Sequence, residues 1–412
     1  MGKILYNFGV YSYYLGVRIA SMFNEKAQLW LSGREDWRSK LRESIKKLDP
    51  DQKNIWFHVS SLGEFEQGRP VMEQLKNDKK INLIVSFYSP SGYEQMKDWP
   101  LADLITYLPL DTEKNASDFI DIIKPDLSLF VKYDLWYHYL HELNLKKIPA
   151  LLISGRFYSS QVYFKPWASW YRKLLFMLDR ILVQDQVSLD LLNSINYKNA
   201  EISGDIRYDR VDELSRNKDR FNKIENFVSD RKVFIAGSSW PLDEKLMTAY
   251  FLKNKYALRA IIAPHDVSKE HIDSILFNFK GKAIRYSEID QLSGEDVLVV
   301  DKIGILSRIY KYAKISYVGG AFKEGLHNIL EPAAYRIPVI TGPDHSGFPE
   351  GAAMEKDGAL FRVKNEAEFA STMDNLLKDE PFYSKASIAA DRFIKDRKGA
   401  SLHTLKVINQ FL

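Results

Sequence analysis

The sequence predicts an α/β fold built from two doubly wound, Rossmann-like domains, and three observations lead to this prediction. The chain of 412 residues is long enough for two hydrophobic cores. Short apolar runs alternate with helix-length segments, which is typical of a parallel sheet covered by helices on both faces. This alternation stops in a charged stretch, residues 207–231, and then starts again. We therefore expect one doubly wound domain on each side of that stretch.

The apolar runs give the expected strands. In the first domain they lie at 54–59, 81–87, 104–107, 127–131, 150–153 and 180–183. In the second domain they lie at 233–236, 258–263, 297–300, 315–318 and 338–340. We expect four segments along the chain: an N-terminal membrane-associated helix (1–30), a first domain (31–210), a second domain (211–380) and a C-terminal helical crossover (381–412) onto the first domain.

Composition excludes several classes of protein. Hydrophobic residues at 45% and charged residues at 27% are typical of a globular chain rather than a disordered one. The absence of cysteine excludes disulfides, iron–sulfur clusters and thiolate zinc sites. A net charge of +4 is too small to indicate a nucleic-acid partner. The histidines lack metal-ligand spacing and no ATP-binding or dinucleotide motif is present, so we expect neither metal nor cofactor.

The N-terminal segment is apolar and aromatic from Ile4 to Phe23. Arg18 and several polar interruptions make it a poor membrane-spanning helix, and it lacks the cleavage site of a signal peptide. Residues 1–50 hold nine Lys/Arg against five Asp/Glu. Aromatic rings and the basic residues from Lys26 to Lys47 suit the surface of an anionic membrane. The alternative is a helix that packs against its own domain.

The most informative motif follows a predicted strand of the second domain. Gly319 and Gly320 come directly after this strand, and a loop with His327 and Asn328 leads into a helix that we expect to begin near Asn328. Glu331 falls in the first turn of that helix. Bare backbone N–H groups and a carboxylate at the carboxyl end of a parallel strand are typical of nucleotide binding. The alternative is local, with Asn328 and Glu331 forming a capping box.

Two other strand ends carry small polar residues. After the first strand of the first domain, Glu64 precedes a helix, and it either faces a ligand at the rim of the sheet or serves the helix dipole. After the first strand of the second domain, exposed N–H groups and the hydroxyls of Ser238 and Ser239 suit a phosphate. A plain N-cap by Ser239, with Pro241 in the first helical turn, is the alternative there.

The motif V-G-G followed by H-N-x-x-E-P, residues 318–332, resembles the 3-deoxy-D-manno-octulosonic acid (Kdo) transferase family of lipopolysaccharide synthesis. The resemblance extends over roughly residues 30–400, with several motifs in the same order. It implies a GT-B type glycosyltransferase whose two domains face a cleft. The implied reaction moves Kdo with inversion from CMP-Kdo to a lipid A precursor, lipid IVA. The implied location is the cytoplasmic face of the bacterial inner membrane, with peripheral or N-terminal attachment.

The resemblance also implies roles for individual residues. The glutamate of the family's S-x-G-E motif is the catalytic base, which is Glu64 here. The donor nucleotide is implied to contact Gly237, Ser238, Ser239, His265, Gly319, Gly320, His327, Asn328 and Glu331. The acceptor or the Kdo sugar is implied to contact Ser61, Gly63, Lys132, Asp134 and Arg156.

The chain departs from the family pattern at two positions. Before His265 the family's P-R-H segment lacks its arginine, and Lys132 stands where the family's E-T-E-L-W segment begins with glutamate. A UDP-sugar-dependent glycosyltransferase, a sugar-nucleotide epimerase of the same fold and a catalytically silent membrane scaffold are the alternatives. No motif encodes the number of Kdo units, the acyl-chain preference or the oligomeric state.

Overall fold

The computed structural model describes residues 2–253 and 256–412 of the chain. The chain forms two compact units, Met1–Arg210 with Lys398–Leu412 and Val211–Arg397. Each unit contains one parallel sheet of seven strands. Helices cover both faces of each sheet, as the two core clusters in each unit show. The predicted fold class is therefore confirmed.

The first unit contains seven strands, nine complete helices before the unit boundary and the last helix of the chain. The strands are β1 (Lys53–Val59), β2 (Ile81–Phe87), β3 (Leu104–Tyr107), β4 (Leu127–Val131), β5 (Ala150–Gly155), β6 (Arg180–Val183) and β7 (Ala200–Ile202). The helices are α1 (Gly2–Ala20), α2 (Glu25–Ser32), α3 (Trp37–Ile45), α4 (Leu62–Asp78), α5 (Pro90–Met96), α6 (Glu113–Ile123), α7 (Tyr137–Leu145), α8 (Ser169–Phe176) and α9 (Gln186–Ser194). The unit boundary falls within α10 (Ile206–Ser215), and α19 (Ala400–Ile408) rejoins this unit.

The strands of the first unit follow the order β3-β2-β1-β4-β5-β6-β7. The chain proceeds from β1 outward to β2 and β3, then returns to place β4 on the other side of β1. The strand order therefore reverses between β1 and β4. The loops that follow these two strands diverge at this switch point, where open α/β sheets bind ligands.

The second unit repeats this architecture. Its strands are β8 (Val233–Ser239), β9 (Arg259–Pro264), β10 (Ala283–Arg285), β11 (Val297–Val299), β12 (Ile315–Val318), β13 (Val339–Thr341) and β14 (Leu360–Arg362). Its helices are α11 (Asn222–Val228), α12 (Pro241–Lys253), α13 (Lys269–Asn278), α14 (Leu306–Ile309), α15 (Leu330–Ala334), α16 (Pro349–Lys356), α17 (Glu366–Lys378) and α18 (Glu380–Lys395). The strand order β10-β11-β9-β8-β12-β13-β14 reverses between β8 and β12.

Successive residues of a buried strand point to opposite faces of the sheet, so each strand contributes to two cores. In β1, Trp56 packs with Phe119 and Tyr139 on one face, whereas Phe57 belongs to the cluster on the other face. The rings of Trp56 and Phe119 lie 5.3 Å apart. Burying an aromatic or large aliphatic side chain of this kind contributes about 1.5–3 kcal/mol, which explains why continuous apolar runs specify these strands.

The last helix completes the core of the first unit. Leu405 and Ile408 of α19 are buried in the same cluster as Phe57. Asp209 fixes the start of this helix, because its carboxylate accepts hydrogen bonds from the N–H groups of Gly399 at 2.6 Å and Ser401 at 2.7 Å. The first unit is therefore built from two segments that are distant in sequence.

Helix α1 packs on the first unit through one face. The Tyr6 hydroxyl donates a hydrogen bond to the buried carboxylate of Asp111, and the Asn7 side chain accepts one from Nε2 of His138 at 2.7 Å. Burial raises the pKa of Asp111 to about 6, while the hydrogen bond from Tyr6 acts in the opposite direction. None of the helices in the described ranges combines the length and the hydropathy that crossing a membrane requires.

The other face of α1 is apolar and exposed. It presents a stripe of side chains spaced by three or four residues along the helix: Ile4, Phe8, Tyr11, Leu15 and Ile19. We call these five residues the α1 stripe. A surface helix of a monomeric protein normally turns such a stripe inward, so an exposed one indicates an interaction surface.

The basic residues that follow α1 are less available than the sequence suggested. Arg34 donates hydrogen bonds to the carbonyl oxygens of Trp30, Tyr88 and Leu108, and burial lowers the pKa of its guanidinium group to about 10. Arg38 forms an ion pair of 2.6 Å with Asp118. Within the basic run from Lys26 to Lys47 that suits an anionic membrane, these two arginines therefore have partners in the first unit, which they stabilise.

Candidate functional site

Ser61 and Glu64 lie directly beside the switch point of the first unit. Helix α4 begins at Leu62, immediately after the loop that ends β1, and Ser61 is its N-cap. The N–H group and the hydroxyl of Ser61 both donate to Oε2 of Glu64, at 2.8 and 3.0 Å. Gly63 occupies the exposed first turn between them. Glu64 is thus the third helical residue of a capping box, and its predicted role as a base stays a prediction.

Lys132, Tyr133 and Asp134 form the loop after β4, on the other side of this switch point. Lys132 has a φ of 74°, and a non-glycine residue in this left-handed region costs about 1–3 kcal/mol, a strain found most often at functional sites. Burial raises the pKa of Tyr133, Glu64 and Asp134 raise it further, and Arg156 lowers it. Four of the site residues predicted from the sequence therefore lie around Tyr133: Glu64, Lys132, Asp134 and Arg156.

A buried histidine that the sequence analysis did not single out holds Asp134 in place. His58 accepts a hydrogen bond at Nδ1 from the Ser86 hydroxyl, which itself accepts one from Nε1 of Trp56. Nε2 of His58 then donates to Oδ2 of Asp134 at 2.9 Å, and Nε1 of Trp136 donates to the same oxygen at 3.1 Å. In this arrangement Nδ1 of His58 accepts a hydrogen bond and Nε2 donates one. Asp134 is consequently a rigidly oriented carboxylate.

Arg156 follows β5 on the same edge of the sheet. Its Nε lies 4.0 Å from Oδ2 of Asp185, and its guanidinium carbon lies 5.4 Å from the centroid of Tyr158. The structure thus gives Arg156 structural partners on its own unit. Contact with the acceptor or with the Kdo carboxylate remains a prediction.

The last residues of β8 together with Trp240, residues 237–240, form a segment that we call the β8 loop, and it differs from the expectations from the sequence in two respects. Ser239 belongs to β8, and Trp240 separates it from the start of α12, so the alternative interpretation of Ser239 as the N-cap is wrong. The buried hydroxyl of Ser239 also donates to Oε1 of Glu244 at 3.0 Å, rather than facing a ligand. Ser238 has a φ of 51° and does line a pocket. Its hydroxyl is the better candidate for a phosphate contact.

The first turn of α12 contains two buried acids, Asp243 and Glu244. Burial raises the pKa of Asp243, and it also raises that of Glu244, where His271 and the Ser239 hydroxyl act in the opposite direction. Negative charge at this position reduces the positive end of the helix dipole. The dipole of α12 therefore contributes less to anion binding than the sequence alone suggested.

Gly319 and Gly320 open the loop at residues 319–329, which we call the β12 loop. The sequence analysis predicted that their N–H groups are bare, but both have partners within the unit. The Gly319 N–H group donates to the Gly237 carbonyl oxygen and the Gly320 N–H group donates to Oδ2 of Asp243, each at 3.0 Å. A Cβ atom at Gly319 would lie 2.3 Å from the carbonyl oxygen of Ser238 and 2.6 Å from Oδ2 of Asp243. Glycine is required at this position because the β8 and β12 loops pack directly against each other.

A stack of three aromatic rings joins three loops of the second unit. The ring of His265 lies 4.7 Å from Trp240 on one side and 4.7 Å from His327 on the other. Nε1 of Trp240 donates to Nε2 of His327 at 3.0 Å, so the hydrogen of this imidazole resides on Nδ1. Burial lowers the pKa of His327, and His265 lowers it further, which keeps the ring neutral. Both predicted histidines thus lie together, although they are 62 positions apart (327 minus 265) in the chain.

The switch point of the second unit contains a pocket of about 270 Å³. Its lining comes from the end of β8, from α14 and the residues beside it, and from the segment between the end of β12 and the first turn of α15: Ser238, Gly304, Leu306, Ser307, Tyr310, Val318, His327, Asn328 and Glu331. Within it, Nδ2 of Asn328 donates to Oε1 of Glu331 at 3.0 Å, and Oδ1 of Asn328 accepts from the N–H group of Leu330. Helix α15 begins at Leu330, two residues after the position near Asn328 where the sequence predicted its start.

Five of the lining residues were not among the site residues predicted from the sequence: Gly304, Leu306, Ser307, Tyr310 and Val318. Gly304 precedes α14, Leu306 and Ser307 lie in its first turn, and the buried Tyr310 follows it. A Cβ atom at Gly237 would lie 2.0 Å from the Tyr310 hydroxyl, which shows how closely this residue approaches the β8 loop. The apolar spacing of Ile305, Ile309 and Tyr310 identifies a helix but not the side that faces a ligand. Within the described part of the chain, no cluster of three His, Asp or Glu side chains has the geometry to hold a metal ion.

Comparison with known proteins agrees with this architecture. Residues 35–210 match the family model of 3-deoxy-D-manno-octulosonic-acid transferase (kdotransferase), and residues 246–393 match that of glycosyl transferases group 1. The 3-deoxy-D-manno-octulosonic acid transferase of Haemophilus influenzae is 26% identical over 380 residues, with 88% of each chain covered. The protein of that name in Aquifex aeolicus is 28% identical over 363 residues, which is 85% of this chain and 92% of that one.

Two further comparisons concern a longer relative and the fold. The chain is 26% identical over 350 residues to a bifunctional glycosyltransferase/methyltransferase of Fusobacterium nucleatum. The matched region is 79% of this chain and 53% of that protein. The crystal structure of UDP-GlcNAc 2-epimerase from Neisseria meningitidis, bound to UDP-GlcNAc, superposes with a TM-score of 0.63 at 15% identity, covering 87% of this chain and 99% of that one. At this identity the likeness concerns the fold alone.

Two doubly wound units, each with its candidate residues at a switch point, define a glycosyltransferase of the GT-B type. Within this class, the chain is similar to the 3-deoxy-D-manno-octulosonic acid transferase family, whose model matches its residues 35–210 and whose curated members cited above are 26–28% identical to it.

Proposed function

We propose that the protein transfers Kdo from CMP-Kdo to a lipid A precursor, lipid IVA, with inversion at the anomeric carbon. The observation that carries this proposal is the pairing of a Kdo transferase domain in the first unit with a nucleotide-sized pocket in the second. That pocket, at about 270 Å³, is near the lower end of the range of roughly 300–1,000 Å³ found for small-molecule sites. It suits the nucleotide part of the donor rather than a whole lipid.

In this proposal, different residues of the pocket bind different parts of the donor. The Glu331 carboxylate, held by Asn328, accepts hydrogen bonds from the ribose hydroxyls. The Ser238 hydroxyl and Nδ1–H of His327 donate to the phosphate, where charge develops as CMP departs. His265, stacked on His327, keeps that imidazole in position. A neutral His327 still donates one hydrogen bond, so this arrangement needs no protonated histidine.

Glu64 is the proposed base. The acceptor hydroxyl oxygen attacks the anomeric carbon of Kdo, the bond from that carbon to the phosphate oxygen breaks, and the hydroxyl proton moves to Glu64. Oε2 of Glu64 is bound by Ser61, so Oε1 is the oxygen that we propose receives the proton. Lys132 and Arg156, on the same edge of the first unit, would neutralise the Kdo carboxylate or an acceptor phosphate.

Thermal-shift titration with CMP, with UDP and without nucleotide tests the donor assignment. We expect CMP to raise the melting temperature, because a ligand that binds only the folded state stabilises it by about 2.7 kcal/mol at a hundredfold excess over its Kd. UDP should raise it much less. A shift with UDP and none with CMP would instead support the UDP-sugar glycosyltransferase or the epimerase.

We further propose that the α1 stripe places the enzyme on the cytoplasmic face of the bacterial inner membrane. The stripe is apolar and exposed while the opposite face of α1 is anchored to the first unit, which is the arrangement of a helix lying in the interface. An epimerase acting on soluble substrates has no use for such a surface. The exposed Lys26, Lys40, Arg42 and Lys47 supply the basic charge that remains after Arg34 and Arg38 are assigned to the fold.

Replacing Ile4, Phe8, Leu15 and Ile19 together by Gln should release the protein from anionic vesicles while the CMP thermal shift stays intact. Each of these side chains contributes up to about 1.5–3 kcal/mol on burial in an apolar medium, so vesicle partition should fall more than tenfold. Sedimentation with vesicles at two salt concentrations measures this. Deleting the helix is a poorer test, because it also removes the Tyr6 and Asn7 contacts. Unchanged partition of the fourfold variant would contradict the interfacial role.

A further inference from the structure

Asp243 connects two loops that line the pocket of the second unit. Its side chain is buried, with 1% of the residue exposed. Oδ2 accepts hydrogen bonds from the N–H group of Trp240 in the β8 loop and from that of Gly320 in the β12 loop, each at 3.0 Å. Oδ1 accepts a third bond, of 2.6 Å, from the Tyr317 hydroxyl in β12. One carboxylate oxygen thus receives a donor from each loop.

The packing around the Asp243 carboxylate leaves little space between the β8 and β12 loops. A Cβ atom on Gly319 would lie 2.6 Å from Oδ2 of Asp243 and 2.7 Å from the Cα atom of Ser239, so there is no room for an additional side-chain atom between the loops. If the carboxylate were absent, the buried N–H group of Gly320 and the partly buried N–H group of Trp240 would lose their acceptor. A buried donor left in that state is costly, and the loops would separate to admit water.

We infer that Asp243 is a positioning residue, which fixes the β8 loop relative to the β12 loop and thereby assembles the nucleotide pocket. Ser238 lies in one of these loops and His327 in the other, and both line the pocket. The hydrogen bond from Trp240 to His327 crosses between the same two loops, so it depends on the same alignment. Asp243 itself does not line the pocket. The inference rests on the proposed nucleotide site, since it names the residue that keeps that site in shape.

Three variants test the inference with CMP as the probe. Asp243→Ala should weaken CMP binding by about tenfold or more, because it removes the two hydrogen bonds by which this carboxylate connects the loops. Asp243→Asn should restore most of the affinity, since the amide oxygen can accept from both N–H groups while the amide NH2 donates to the Tyr317 hydroxyl. Tyr317→Phe is the matched control, because it removes the third bond and leaves the two loop bonds in place. It should lower the melting temperature and leave CMP affinity close to that of the wild type.

Amide hydrogen exchange provides a readout that does not depend on the ligand. In the nucleotide-free protein, peptides covering 237–245 and 318–329 should exchange faster in Asp243→Ala than in the wild type, and not in Tyr317→Phe. If Asp243→Ala binds CMP as the wild type does, or if its exchange in these peptides is unchanged, the inference is wrong. Failure of the wild type to bind CMP, with exchange still accelerated in Asp243→Ala, would overturn the proposed donor and leave the positioning role intact.

Discussion

Glu64→Gln is expected to reduce turnover by about 10²–10⁴-fold, which corresponds to roughly 3–5 kcal/mol of barrier. A sugar hydroxyl is a weak nucleophile, and its attack requires a base within hydrogen-bond distance. Glutamine keeps the length and shape of the side chain but cannot take the proton. It also preserves the capping box, because its amide oxygen can accept from the Ser61 N–H group as the carboxylate does. Melting temperature and CMP affinity should therefore stay close to those of the wild type.

Asp134→Asn is the control for this assignment, since Asp134 is the second carboxylate at the same switch point. Its Oδ2 serves as acceptor for His58 and Trp136, so the substitution should mainly lower the melting temperature. Single-turnover measurements with both variants separate the chemical step from binding. If Glu64→Gln turns over nearly as fast as the wild type while Asp134→Asn loses its activity, the base is Asp134 and the proposed mechanism is wrong.

Glu331→Gln is expected to raise the dissociation constant for CMP by roughly ten- to hundredfold. A hydrogen bond to a charged group contributes about 1.5–3 kcal/mol, and this variant replaces a charged acceptor by a neutral one. The bond from Asn328 to Oε1 can persist with the glutamine oxygen, so the β12 loop should keep its conformation. Isothermal titration with CMP, together with the melting temperature of each variant, measures both consequences.

Glu324→Gln is the matched control for Glu331→Gln. Glu324 lies in the same β12 loop, is exposed and is not among the residues that line the pocket, so its replacement removes the same charge from the same region. CMP affinity should change little in this variant. A lower melting temperature with normal CMP affinity in Glu331→Gln would show that Glu331 serves only the local structure around Asn328.

The strands of both units could be predicted from the sequence because burial on both faces leaves a continuous apolar run. Strands β2, β3, β4, β6 and β12 begin and end at the predicted residues. The three that were missed, β7, β10 and β14, are edge strands of three residues each, and they are only partly buried. Strands β11 and β13 are equally short but fully buried, so only the missed strands lack a continuous apolar run. Their pairing is decided by neighbouring strands rather than by local sequence.

Details of the site depended on contacts between residues distant in sequence. The local sequence pattern singled out Gly319 and Gly320 but suggested that their N–H groups are free to bind a ligand. In the structure, the β8 loop instead occupies the space that a side chain at Gly319 would need. His58 and Asp134 are separated by 76 residues, so nothing in either segment indicated their hydrogen bond. Asp243 resembled an ordinary acid in the first turn of a helix. Only the fold shows that the Gly320 N–H group, 77 residues away, reaches it.

The contribution of α19 to the first unit has a consequence for biosynthesis. The ribosome makes residues 1–210 first, yet the core they form still lacks Leu405 and Ile408 until the final residues emerge. Residues 211–397 form their unit from one uninterrupted segment and can complete it earlier. One apolar face of the sheet in the first unit therefore stays incompletely covered while almost 190 residues are translated and folded. During that interval the uncovered apolar surface makes the chain prone to aggregation.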